Sequence, residues 1–394
     1  MGKIYKIGIA GFGAAGRHIV PGIKRMKEAE LTAVADIRSE VLRDVKEKLD
    51  VEVYEDVETM CRNADVDIVW IATPNHFHAA QTIAAASCGK HIICEKPMTI
   101  TLEDADRMIE AVEQSGVAFI QGHSRLFQNS IRKMGEIVHS GQLGSVYNII
   151  SHMHNDWLLR PRLDVEVNSA IGGNVVLRQG PHTIDIVRLM GGGVVKSVRA
   201  NVGRRMEGFD TEGDYSAFLT FDNGASAQVS LSGYGYFNSA ELTWNIGELG
   251  YLYRSDELAK AQPRPKSPLG EAKYNLPQYH MDNILRYESS PPRHDFFGLT
   301  IVSCERGVIR QSPEGVYVYS ERGREEIKVA PSPVHNGELK ELINALEQNR
   351  KPFPDVYWAK ATIEVCLGMM QSSKEEREVT MRHQVAAPAQ LPQI

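Results

Sequence analysis

The chain has 394 residues, 42% hydrophobic and 24% charged, enough for two domains with ordinary globular cores. Its 44 Lys and Arg against 50 Asp and Glu give a net charge of −6, which argues against a nucleic-acid partner. Five scattered cysteines without a C-x-x-C pair, no apolar run of about 20 residues, and a start broken by a glycine-rich turn argue against a disulfide framework, a membrane span and a signal peptide, and favour a cytoplasmic protein.

Residues 6–10, 31–35, 67–72, 91–95 and 117–121 are short apolar runs and predict strands. Between them, 14–27, 39–49, 76–87 and 101–115 predict helices. Such alternation implies βαβ units and a parallel sheet over a first domain of residues 1–125. A helix over 128–140 and a strand over 144–154 follow, then an Arg- and Pro-rich loop and a helix near 180–191. The segments VKSVRANV, DYSAFLTF, ASAQVSLSG and ELTWNIG, with further strands at 299–329, predict an antiparallel sheet in a second α/β domain, 126–380. Residues 260–295 read as a long loop, 335–349 and 357–374 as closing helices, and 381–394 as a tail whose residues 385–394 are expected to be poorly ordered.

Gly11-Phe12-Gly13-Ala14-Ala15-Gly16 follows a predicted strand and opens a predicted helix. The first glycine permits the tight turn, the second lets backbone approach a pyrophosphate, and the third lets helix and strand pack closely. The pyrophosphate would sit on the helix N-terminus. Asp36 ends the second strand 20 residues after Gly16, where a carboxylate can take ribose hydroxyls. It favours NAD, whereas Arg38 could receive the extra phosphate of NADP. NAD is therefore the first expectation and NADP the second.

Thr73-Pro74-Asn75-His76-Phe77-His78 follows the strand over 67–72, and Glu95-Lys96-Pro97 follows the strand over 91–95. In a doubly wound sheet both reach the carboxyl edge, where ligands bind. On spacing alone Lys96 reads as a surface lysine. Taken together, the glycine fingerprint, TPNHFH, EKP and a later G-x-H-x-x-D resemble the Gfo/Idh/MocA oxidoreductases, relatives of glucose–fructose oxidoreductase and inositol dehydrogenase. The resemblance spans nearly the whole chain. It implies an N-terminal Rossmann domain, a C-terminal α/β domain with a large, mostly antiparallel open sheet, an active site between them, and a homodimer or homotetramer. It also implies that Lys96 lies beside nicotinamide and substrate. Thr73, Pro74, Asn75 and His78 would then line the coenzyme channel, and Glu95 would meet the nicotinamide ribose. Gln121 and His123 would lie at the domain junction near the substrate.

Many members of this family carry D-x-G-x-H-x-x-D in the second domain. Here the segment is Arg178-Gln179-Gly180-Pro181-His182-Thr183-Ile184-Asp185, so Arg178 stands where the first Asp is usual. The resemblance makes His182 a catalytic acid–base, since an imidazole titrates near working pH. Without the usual Asp–His pair, Lys96 must share the proton work. Arg178 joins Arg160 and Arg162 in a stretch, 156–205, that holds eight Lys and Arg against four Asp and Glu. It reads either as a solvated basic face or as a pocket for an anionic substrate. Trp157 and His154 would add an aromatic wall and a hydrogen bond. His152 and His154 share a strand face, but no third ligand is evident and no metal is expected.

The stretch from Arg160 to Gly193, with 301–319, most resembles the family branch assigned to phthalate 4,5-cis-dihydrodiol. That branch implies hydride loss from a carbinol carbon of a cyclic vicinal diol that carries carboxylates, with tautomerisation to a catechol. The expected partner is thus a small carboxylated or polyhydroxylated ring. Sugar or inositol dehydrogenation, or coenzyme sensing without catalysis, are the alternatives.

Overall fold

The computed structural model describes residues 2–122, 125–276, 280, 293–332 and 336–393. The first apolar runs are strands buried on both faces, which is why they lack polar alternation. They are β1 (Tyr5–Ala10), β2 (Ala29–Ala35), β4 (Ile68–Ile71), β5 (His91–Glu95) and β6 (Phe119–Gly122), joined by a short β3 (Glu52–Tyr54). All are parallel, in the order β3-β2-β1-β4-β5-β6. The intervening helices are α1 (Ala14–Lys24), α2 (Ser39–Lys48), α3 (Val57–Asn63), α4 (His78–Ser87) and α5 (Leu102–Ser115). The strand order reverses between β1 and β4, so the turns after those strands lie side by side at the carboxyl edge.

The second sheet has nine strands, in the order β14-β13-β12-β11-β7-β10-β9-β8-β15. They are β7 (Val146–His154), β8 (Val195–Gly203), β9 (Asp214–Phe221), β10 (Ser226–Ser232), β11 (Leu299–Cys304), β12 (Gly307–Ser312), β13 (Gly315–Ser320), β14 (Gly323–Lys328) and β15 (Val379–Thr380). β7 and β10 run parallel, and every other neighbouring pair is antiparallel. The helices of this part are α6 (Asn129–His139), α7 (Val175–Arg178), α8 (Gly180–Met190), α9 (Ser255–Leu258), α10 (Gly337–Glu347) and α11 (Val356–Glu375). Ile149 and Met153 of β7 face the helices and share a core with Ile184 and Val187 of α8. The alternate residues Ile150, His152 and His154 face the other way.

Helix α8 is fastened to α11 by a buried arginine. Arg188, fully buried, donates to the Trp358 carbonyl at 3.0 Å and to Thr362 Oγ1 at 2.7 Å, and stacks 3.8 Å from the Trp358 ring. Asp185 accepts from the Trp358 indole at 2.8 Å. The second half of α8, from Asp185 to Arg188, is therefore held against α11, which fixes the direction in which the helix presents its first turn.

Four features depart from the expectations. The short β3 and α3 carry too few residues to show a period; α3 is set by Asp56, whose carboxylate accepts the Thr59 N–H at 2.7 Å. ELTWNIG is not a strand. Asn238 caps a 3-10 turn over Ser239–Thr243, and Trp244 and Asn245 follow at φ 55° and 61°, which ends extended backbone. The tail is packed: Val385, Ala387 and Leu391 rest on the core, and the Ala387 N–H donates to Gly192 O at 2.9 Å. Gly193, at φ +94°, allows this approach, because a Cβ there would lie 2.3 Å from Ala387 N. Finally, Leu339, Leu342 and Ile343 of α10 pack into the first core with Ile93 and Ile120.

Glu338, in the first turn of α10, is 2% exposed. Burial, reinforced by nearby Glu95, pushes its carboxyl up to about 8. The folded state therefore holds a proton that the unfolded chain releases, and stability is lost as pH rises from 4.5 to about 8. Glu338→Gln, neutral throughout, should gain in melting temperature over the wild type as pH rises across that range. A difference that does not vary with pH would show that this carboxyl is ionised in the folded protein.

Candidate active site

The glycine turn after β1 is shaped by contacts no larger residue allows. Gly11 has φ +86°, and a Cβ on it would lie 2.9 Å from the Thr73 backbone. A Cβ on Gly16 would lie 2.1 Å from the Gly11 carbonyl oxygen. Gly13 is the N-cap of α1 and has no side chain to cover the first N–H groups. The result is a bare backbone cradle at a helix N-terminus, with Ala14 and Ala15 as its small-sided first turn, and it fits the pyrophosphate of a dinucleotide.

Asp36 sits at the end of β2, beside this cradle. Its carboxylate accepts the Phe12 N–H at 2.8 Å, the Arg38 N–H at 3.0 Å, and the Arg38 guanidinium through Nε at 2.9 Å and Nη2 at 2.8 Å. Those four donors match its four lone-pair sites. Burial would raise its carboxyl pKa, but the Arg38 fork outweighs burial and holds it below the ordinary value. Ile37, between them, is 86% exposed and offers an apolar side chain at the same edge.

Two further turns meet the cradle. Thr73 Oγ1 donates to Gln81 at 2.6 Å, Pro74 is exposed, and buried Asn75 reaches the second domain by donating to Gly172 O at 3.3 Å. His78 does not face the cleft. It is buried, its ring nitrogens lie 2.8 Å from the carbonyl oxygens of Pro97 and Thr73, and burial pushes its pKa down to about 4. It braces the TPNH turn against the EKP turn. Glu95 accepts from the Trp70 indole at 3.2 Å.

Lys96 Nζ donates to the Arg178 carbonyl at 2.7 Å, joining the EKP turn to a residue two positions before the G-x-H-x-x-D segment. Burial, then the charge of Arg178, pushes the Lys96 pKa down to about 7; Glu95 opposes this, and Arg125 and Arg162 add to it. His182, 7% exposed, lies in the first turn of α8 with its ring 5.0 Å from Phe297. Phe297 in turn lies 5.0 Å from the Arg125 guanidinium.

Beside Lys96, three cations converge on one carboxylate. Glu166 Oε1 lies 3.3 Å from Arg178 Nη2 and 3.9 Å from Arg162 Nη1, and Oε2 lies 2.6 Å from Lys273 Nζ. Oε2 also accepts the Leu163 N–H at 2.7 Å. Burial pushes the Glu166 pKa up, but Arg178, Arg162 and Lys273 together outweigh it and hold it down at about 2. Arg162 also lies 4.4 Å from the Trp157 ring and donates twice to the Trp157 carbonyl, at 3.0 and 2.8 Å. The Trp157 indole N–H is buried and meets no acceptor among the described residues.

Arg162, Arg178 and Trp157 therefore come together beside Lys96. Arg160 does not join them. Its guanidinium is taken by Asp156, at 2.8 Å, and by Glu248. His154 is separated from α8 by the sheet itself: it points to the open face, 4.7 Å from His152 and 5.6 Å from Phe237. Gln121 packs, with 1% exposure, and donates to Cys94 O at 2.9 Å. His123 lies outside the described residues. Glu166, Lys273 and Tyr274 escaped the sequence reading. Glu166 lies inside the cationic stretch and carried a signal, an acid among arginines. Lys273 and Tyr274 sit in what reads as featureless loop.

Comparison with known proteins agrees with the two-part fold. Residues 5–123 match the model described as an oxidoreductase family with an NAD-binding Rossmann fold, and residues 131–252 match the GFO/IDH/MocA C-terminal domain. The 1-carboxy-3-chloro-3,4-dihydroxycyclohexa-1,5-diene dehydrogenase of Comamonas testosteroni is 32% identical over 94% of this chain and 95% of that protein. The chain belongs to the Gfo/Idh/MocA family. It is an NAD(P)-dependent oxidoreductase whose relatives are named dehydrogenases. The myo-inositol 2-dehydrogenase of Thermotoga maritima is 30% identical over 62% of this chain and 74% of that protein. A crystal structure from Bordetella bronchiseptica RB50, of a protein classed as a dehydrogenase, superposes with a TM-score of 0.87 at 30% identity, over 96% of this chain and all of that one.

The Asp36–Arg38 pair makes a testable choice between coenzymes. Arg38→Ala frees the carboxylate for ribose hydroxyls and removes the cation that offsets it. KM for NADP should rise about tenfold or more, near 1.4 kcal/mol, while KM for NAD changes far less. Equal changes for the two coenzymes would show that Arg38 does not face the 2′ position.

Proposed function

We propose that the protein oxidises a cyclic vicinal diol bearing a ring carboxylate, with NAD as the preferred coenzyme. The observation that carries this reading is the convergence of Arg162, Arg178 and Lys273 on the single carboxylate of Glu166, beside Lys96. Cations in excess of one anion, partly shielded from water, favour a second carboxylate. A relative named for a carboxylated ring diol supports the same substrate class.

When bound, the nicotinamide supplies the hydride acceptor for the carbinol C–H. The chain must take the hydroxyl proton. Lys96, its pKa pushed down to about 7 by burial and by Arg178, can accept it as a neutral amine. His182 orients the hydroxyl and shares the proton. Arg162 and Arg178 fix the ring by its carboxylate, and Asp36, Thr73, Pro74, Asn75 and Glu95 hold the coenzyme. Asp36 is the ground for preferring NAD, and Arg38 allows NADP as well.

A neutral polyol is the second reading, supported by the inositol dehydrogenase relative. Self-association as a dimer or tetramer is part of the proposal. Phe218, Gln228, Ile150 and Ile301 stand in register across the open face of the second sheet, with Phe218 45% and Ile150 38% exposed. The three apolar side chains of that row, Phe218, Ile150 and Ile301, support pairing through that face.

Three outcomes test the reading. Lys96→Met and His182→Ala should each lower kcat by about 100-fold or more, with NAD affinity measured by calorimetry almost unchanged; full activity in both would remove them from the chemistry. For the wild type, kcat/KM for oxidation should climb with pH and level off above about 7. That limb should be missing from Lys96→Met. Arg178→Met should raise KM about tenfold for a carboxylated diol and far less for a neutral one; equal effects would favour the polyol.

A further inference from the structure

Residues 270–276, on a loop of the second domain, reach both ligand sites at once. Gly270–Asn275 is a 3-10 turn, and the Gly270 N–H donates to Arg162 O at 3.0 Å, which ties the turn to the cationic loop. Lys273, 3% exposed, places its ammonium 2.6 Å from Glu166 Oε2. Tyr274, the next residue, turns the other way. Its ring lies 4.8 Å from the Arg38 guanidinium, and its hydroxyl lies 3.3 Å from the point where a Cβ on Gly13 would stand. One side chain enters the cation cluster, and its neighbour stands over the glycine cradle.

We propose that Lys273 and Tyr274 form a two-headed strap, with Tyr274 completing the coenzyme site, Lys273 completing the substrate-anion site, and occupancy of each site tightening the other. The proposal rests on the coenzyme and carboxylate readings given above. A phenol at the cradle is a hydrogen-bond donor to phosphate oxygen, as the bare N–H groups are. Burial raises the Tyr274 pKa above its ordinary value, so the hydroxyl keeps its proton. The ring also shields the Asp36–Arg38 pair from water, which strengthens it. Both residues belong to one turn, closed by the Leu276 N–H donating to Lys273 O at 3.2 Å and tied to Arg162 through Gly270. A coenzyme phosphate that holds Tyr274 thus holds Lys273 in place, and the second ligand meets a smaller ordering cost. Such coupling is reciprocal between the two ligands.

Calorimetry on the full chain tests this with NAD and phthalate, a benzene dicarboxylate with no carbinol to oxidise. In the wild type, saturating NAD should tighten phthalate binding about fivefold or more. Tyr274→Ala should abolish that gain and weaken NAD binding, and Tyr274→Phe should weaken NAD binding while keeping part of the gain. Lys273→Met should weaken phthalate about tenfold while leaving NAD alone unchanged. A full gain in Tyr274→Ala, unchanged phthalate affinity in Lys273→Met, or a wild type that binds phthalate equally with and without NAD would overturn the strap and leave the substrate reading standing. No phthalate binding by a wild type that binds NAD would overturn the carboxylate reading and the strap with it.

Discussion

Cations crowd one side of the cleft, and a single buried carboxylate keeps them there. Arg162, Arg178 and Lys273 would repel one another without Glu166, whose pKa is held at about 2 by their charge. At about 4 Å and an effective dielectric of about 20, each unit-charge pair is worth about 4 kcal/mol before desolvation. Attraction to Glu166 at 2.6 to 3.9 Å therefore orders the group.

The same charge sets the chemistry of Lys96. Its ammonium is disfavoured by burial and by Arg178, which brings its pKa down to about 7. A substrate carboxylate entering the cluster would relieve part of that repulsion and raise the proton affinity of Lys96 as the hydroxyl proton is to be moved. In the proposed function, recognition and acid–base work are then two consequences of one arrangement. The replacement of the family's usual Asp by Arg178 reverses the local charge, and Glu166, twelve residues upstream, supplies the offsetting anion from a different turn.

The architecture explains how these groups meet. The switch point between β1 and β4 sets the glycine cradle against the TPNH turn, and buried His78 pins that turn to the one carrying Lys96. On the other side, Arg188 and Asp185 lock α8 to α11, so the first turn of α8 presents His182 in a fixed direction. The Lys96–Arg178 hydrogen bond closes the gap between the two halves.

Local pattern determined the parts of this protein that depend on neighbours in the chain. The parallel strands and the glycine turn with Asp36 after β2 were legible because periodicity and motif spacing are local properties, whereas Lys96, His182 and Arg178 stood out only through the family resemblance. Tertiary structure alone decided which charges meet. Arg160 and Arg162 are two residues apart, yet Arg160 is taken by Asp156 and Glu248 while Arg162 faces Glu166. His154 belongs to the wrong face of its strand for the cleft, a matter of sheet packing that alternation cannot assign without knowing which side the helices cover. Lys273 stands 107 residues from Glu166 in the chain. An ion pair leaves no periodic trace in sequence, because it depends on distance in space, and only the folded chain sets that distance.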